Sequence, residues 1–116
     1  MKVTGIGGVV FKAKDPEALA RWYKQHLGID RVKWEQQAGP TAFAPFPADT
    51  DYFGSGPQSF MLNFRVVDLD GLLNELGAND VKIVKQLEEH AGLGRFAWIE
   101  DLEGNRIELW QSEEEA

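Results

Sequence analysis

Little in this sequence could do covalent chemistry, which narrows attention to one carboxylate. There are no cysteines and only two histidines. Thiol nucleophiles, zinc–thiolate sites, iron–sulfur clusters and disulfides are therefore excluded. No serine–histidine–acid set is present, and "GIGG" near the N-terminus lacks the spacing and following helix of a dinucleotide loop. His26 falls near the end of a predicted helix, where a cation suits the helix dipole. His90, in "EEHAGLG", is the only histidine placed to reach a cavity mouth, although an exposed position is the simpler reading. That leaves "WIEDLEGNRIELWQ", residues 98–111, and its Glu108. Strand alternation puts Glu108 with Arg106 and Trp110 on one face, and Ile107 with Leu109 on the other. Glu108 is thus a candidate cavity acid, either a hydrogen-bond acceptor for a ligand or a general base. The competing reading is a carboxylate paired with Arg106 or Arg95, or simply solvated.

A second strand, Phe60 to Val66, places Met61, Asn63 and Arg65 on one face, opposite Phe60, Leu62, Phe64 and Val66. Met61 and Asn63 are cavity candidates. Trp34, Phe43, Phe96, Trp98 and Trp110 add aromatic surface to the same side or its rim. The candidate ligand contacts are therefore Met61, Asn63, Phe43, Trp98, Trp110 and Arg106, with packing in a core or dimer contact as the plainer alternative. Trp22 and Tyr23 recur with Leu19 and Leu27 at helical spacing and belong to a helix–sheet core.

These residues need elements to position them. Val3 to Ala13 reads as a strand weakened by Gly5, Gly7 and Gly8. Asp15-Pro16-Glu17 starts a helix, which Gly28 stops. Val32–Gln36 and Thr41–Phe46 read as short strands, and Asp49–Gln58 as a loop rich in Gly, Pro, Asp and Ser. After the Phe60–Val66 strand, Asp68 caps a second helix closed near Gly77. Val81–Leu87, Arg95–Glu100 and Arg106–Gln111 then form an antiparallel meander.

The chain also repeats itself. An offset of 53 residues brings Val9 onto Leu62, Phe11 onto Phe64, Asp15 onto Asp68, Glu17 onto Asp70 and Leu19 onto Leu72. The same offset brings Phe43-Ala44 onto Phe96-Ala97. Two strand–helix–strands units are implied, about 1–56 and 57–112. Each is too small to bury both faces of its sheet alone. Joined, they leave a concave face to be filled by side chains, a partner subunit or a ligand.

With 116 residues, the chain fits one domain able to fold without a structural metal. Its formal charge of −7 lacks the cationic footprint that nucleic acid requires. That charge suits a cationic ligand, or only ordinary solubility. No apolar run approaches a membrane span, and the N-terminus does not read as a signal peptide. A cytoplasmic location is expected.

"DPEALARWYKQHLGI" and "FAWIEDLEGNRIELWQ" together resemble the vicinal oxygen chelate superfamily, the group of glyoxalase I, bleomycin resistance proteins and extradiol dioxygenases. The likeness covers nearly the whole chain. Its most specific part is the final turn, usually Asp-Pro-Glu-Gly-Asn before Ile-Glu-Leu, where Leu102 replaces the proline. The resemblance implies an α+β fold of paired βαβββ modules, a curved mixed sheet with two helices on its outer face, and a homodimer.

In members that use metal, a divalent ion is held from the concave face, and the resemblance implies where its ligands would stand. One is seven residues before each helix-capping aspartate, which here gives Gly8 and Met61. The carboxylate of the first module falls on Ser55 or Phe43, and only Glu108 remains a carboxylate. One carboxylate does not hold a divalent ion against water. No cofactor is expected, and Asp49, Asp51, Glu88 or His90 would have to rebuild a metal site. The expected function is metal-independent binding of a small organic ligand in an aromatic cavity. The alternatives are a glyoxalase-like lyase or isomerase using Glu108 as base with a metal from non-standard ligands, and a subunit-interaction module.

Overall fold

The computed structural model describes residues 1–113, apart from the side chain of Gln86. Two helices form where the sequence marks both their ends. Helix α1, Pro16–Leu27, begins at Asp15, whose carboxylate accepts the Ala18 N–H at 3.1 Å, and has proline in its first turn. Gly28 closes it in the left-handed conformation, φ 71°. The Gly28 and Ile29 N–H groups return to the carbonyls of Lys24 and Tyr23, satisfying the last turn. Helix α2, Leu69–Ala78, begins the same way, with Asp68 accepting the Gly71 N–H at 3.0 Å. The two capping aspartates share nearly the same backbone angles, φ −130° and −126° with ψ 88° in both. The internal repeat is therefore physical at these positions. Gly77, expected to close α2, lies inside it; Asn79 is the cap, and Asp80 takes the positive φ of 62°.

Four strands follow the sequence closely: β1 (Leu62–Arg65), β2 (Ile83–His90), β3 (Gly94–Glu100) and β4 (Arg106–Ser112). They form one mixed sheet in the order β1-β4-β3-β2. β1 runs parallel to β4, while β2, β3 and β4 make the expected antiparallel meander. The fold is thus α+β, with both helices on one face of a mixed sheet. Leu19 and Tyr23 of α1 and Leu69 and Leu76 of α2 pack with Ala97, Ile99, Ile107 and Leu109 of the sheet. No helix among the described residues is long and apolar enough to cross a membrane.

The three strands expected in the first module, Val3–Ala13, Val32–Gln36 and Thr41–Phe46, join no ladder. Three glycines leave the first of them with little side chain to pack. Pro40, Pro45, Pro47 and Pro57 remove donors from the second half of the same region. Apolar side chains that a strand would bury stay exposed, with Val3 at 93 %, Val10 at 96 % and Val32 at 91 %.

Candidate functional site

The face of the sheet opposite the helices holds most of the candidate residues. Strand register sets one row across all four strands: Lys85 beside Trp98, Trp98 beside Glu108, and Glu108 beside Asn63. Glu108 is 9 % exposed. Its Oε1 accepts from Asn63 Nδ2 at 2.7 Å, and its Oε2 accepts from Trp98 Nε1 at 3.1 Å. A third donor, the hydroxyl of Tyr52, also reaches Oε2. Three neutral donors therefore offset the burial of this charge. Neither expected arginine pairs with it. Arg95 points to the helix face and holds Asp70 at 3.0 Å, while Arg106 donates through Nη1 to the Tyr52 carbonyl at 3.1 Å. Glu108 is neither ion-paired in the expected way nor solvated.

Beside it lies a row of aromatic rings. Phe96 stacks parallel to Trp110 at 5.9 Å and to Trp98 at 6.3 Å. His90 sits edge-on to Phe96 at 5.4 Å, and Trp110 Nε1 donates to the Leu93 carbonyl at 2.9 Å. Asn63, Trp98, Trp110, Arg106 and Glu108 are thus brought to one face, as alternation requires. Met61 is half-buried just ahead of β1. Phe43 does not join the set: it is 86 % exposed, on a segment that forms no strand. Trp34 packs edge-on to Phe64 on the helix side instead.

Tyr52 is the residue that sequence reasoning missed. It lies in the stretch read only as a loop. Two turns shape that loop, with Thr50 N–H returning to the Pro47 carbonyl and Gly54 N–H to that of Asp51, both at 3.0 Å. Gln58 fastens it to the start of β4, its side-chain amide accepting from Arg106 N at 2.8 Å and donating to Arg106 O at 2.9 Å. Tyr52 then stacks on Phe46 at 5.3 Å and stands edge-on to Trp98 at 6.1 Å. Burial, and then its bond to Glu108, pushes its phenol above the ordinary range. One signal was available: Tyr52 and Phe53, two aromatics amid glycine, proline and serine, exceed what a solvated loop needs.

The space in front of Glu108 is filled by this loop. Two openings lie elsewhere. One of about 910 Å³ separates residues 6–11 from α1 and β1, and one of about 580 Å³ lies between the end of α1 and residues 34–42. Neither is lined by Glu108, Trp98 or Tyr52.

One of the groups at Glu108 cannot ligate a divalent cation. Trp98 Nε1 offers a hydrogen and no lone pair toward Oε2. Among the described residues no three His, Cys, Asp or Glu side chains cluster as a metal site. Glu88 is engaged with Lys85 and with His90, the latter at 3.2 Å, and Asp49 and Asp51 are exposed.

Fold and site together define a βαβββ-type protein whose helix-free sheet face carries a buried acid among aromatic rings. The model of the Glyoxalase/Bleomycin resistance protein/Dioxygenase superfamily matches residues 5–109, and the chain belongs to that superfamily. Solved structures agree. TnmS3, an antibiotic binding protein from Streptomyces sp. CB03234, is 25 % identical and covers 97 % of this chain and 98 % of its own, with a TM-score of 0.66. A superfamily member from Sphaerobacter thermophilus is 19 % identical over 95 % of this chain and 98 % of that one, TM-score 0.65. TioX from Micromonospora sp. ML1 is 21 % identical over 86 % and 92 %, TM-score 0.56. No functionally curated protein matches the sequence.

Proposed function

We propose that this protein binds a small aromatic organic molecule on the helix-free face of its sheet, without a metal ion. The observation that carries the reading is Glu108, buried and held by Asn63, Trp98 and Tyr52 beside the stacked rings of Phe96, Trp98 and Trp110. The half-buried rings of Phe96 and Trp110 offer area for stacking, and Glu108 becomes a polar anchor once the Tyr52 loop gives way, which is what a small-molecule site needs. The likeness to TnmS3, an antibiotic binding protein, supports it. Glu108 is read as an anchor, its Oε1 held by Asn63 and its Oε2 by Trp98, with Tyr52 as the one partner that a ligand could replace.

A homodimer is part of the proposal. The exposed Val3, Val10 and Val32 favour a second copy as their cover. The test is titration of tryptophan fluorescence and of Tm with a panel of aromatic antibiotics, in the presence of a chelator. Saturable quenching with a rise in Tm is expected, and Trp98→Phe should reduce the quenching. If no compound changes either signal, or if chelation abolishes binding, the proposal fails.

A further inference from the structure

Glu108 is a buried carboxylate with no positive partner among the described residues. Among the described residues no salt bridge reaches it, and its three donors are all neutral. Asn63 and Trp98 are fixed by the sheet, one register step to either side of Glu108. Tyr52 is different, because it arrives on a loop that joins no ladder. That loop turns at Gly54, φ 99°, between Pro47 and Pro57. From this arrangement we infer that the ligand is an organic cation, a protonated amine on a planar aromatic ring. Its N–H replaces the Tyr52 hydroxyl on Glu108 Oε2, and its ring takes the seat of Tyr52 against Trp98. The inference rests on the binding function proposed above and names its ligand class.

Three observations support the exchange. An ammonium brings Glu108 the opposite charge that a neutral phenol cannot, so the swap at the same oxygen gains an ion pair. A cation already lies on the neighbouring spot of the row: Lys85 Nζ stands 5.2 Å from the centre of the Trp98 ring, held there by Glu88. Glu108 and Glu88 both help to hold the Tyr52 phenol above its ordinary range, and a cation in its seat would meet the same two carboxylates. The net charge of −7 extends that attraction into solvent.

The exchange separates this ligand class from others on one ring system. Naphthylmethylammonium, naphthylmethanol and naphthoate differ in charge while keeping the same flat surface. Isothermal titration calorimetry of the intact protein should rank them in that order, with the ammonium bound about tenfold or more tightly than the alcohol. Glu108→Gln should weaken the ammonium roughly a hundredfold and the alcohol far less, with far-UV circular dichroism reporting that the variant is folded. Tyr52→Phe keeps the ring and removes the competing hydroxyl, so it should tighten the ammonium about tenfold. An alcohol bound as tightly as the ammonium overturns the inference while the binding function stands. So does a Tyr52→Phe variant that binds the ammonium more weakly, since Tyr52 would then be a contact and not a plug. Failure of all three probes to bind removes both.

Discussion

Raising the pH from about 9 to about 11 should cost this protein stability through its tyrosines, and Tyr23→Phe should remove most of that cost. The chain has two tyrosines, and each donates its hydroxyl to a buried carboxylate, Tyr23 to Asp101 at 2.6 Å and Tyr52 to Glu108. Burial first, and then the carboxylate partner, holds each phenol above its ordinary value of 10.0 in the folded chain. A group whose folded pKa is raised contributes stability that is intact below the unfolded pKa and is lost as pH climbs toward the folded one. The unfolded chain begins to release its phenolic protons near pH 10, while the folded chain keeps them. For Tyr23 the linkage integral between about pH 9 and about pH 11 is about 1.4 kcal/mol. Tyr52 is only half-buried, so solvent screening reduces its share. Urea denaturation at the two pH values, for the parent and for Tyr23→Phe, measures the difference. At neutral pH the variant should itself lose about 1–2 kcal/mol, because Asp101 keeps its other donors. A phenolate absorbance step near pH 10 in the native protein would refute the reasoning. So would an unchanged pH dependence in the variant.

Other substitutions probe the scaffold. Gly94 has φ 129°, and a Cβ there would lie 2.2 Å from the Gln111 carbonyl oxygen. Gly94→Ala should therefore cost more than about 2 kcal/mol in a urea titration and loosen amide exchange at the ends of β3 and β4. Leu109, fully buried between the helices and the sheet, should cost about 2–5 kcal/mol as Leu109→Ala, read as a lower midpoint at unchanged slope. The backbone N–H groups of Asp15 and Lys14 hold the Glu103 carboxyl below its ordinary 4.5. Its contribution is present above that value and fades as pH falls through the folded pKa. Glu103→Gln should accordingly flatten the acid side of a Tm–pH curve.

The second module was legible almost to the residue. Its strands alternate cleanly, so one face of β4 carries Ile107 and Leu109 and the other Glu108, and the structure keeps that division. Asp15 and Asp68 were legible because a helix start needs an acceptor for its unpaired N–H groups, and aspartate before proline or leucine supplies one. The first module was less so. Apolar periodicity in Val3–Ala13 and Thr41–Phe46 marks what should be covered, but a strand also needs a neighbour, and local sequence cannot name it. What Tyr52 binds was out of reach for a related reason. Its partner Glu108 lies 56 residues away, and no spacing rule connects a loop tip to the face of a strand.

The same long reach governs the turn between β3 and β4. Glu103 accepts from the backbone of Lys14 and Asp15, 89 and 88 residues earlier, just where α1 begins. Asp101 in that turn takes the hydroxyl of Tyr23 from the middle of α1. During synthesis α1 emerges long before the turn that receives it exists. It must wait, with Leu19 and Tyr23 uncovered, until the turn 88 residues further on is made. Contacts so distant in sequence slow folding, because the intervening chain must be ordered before they form. The short turn "DLEGN" thus acts in time as well as in space: it is the latch whose arrival lets α1 settle.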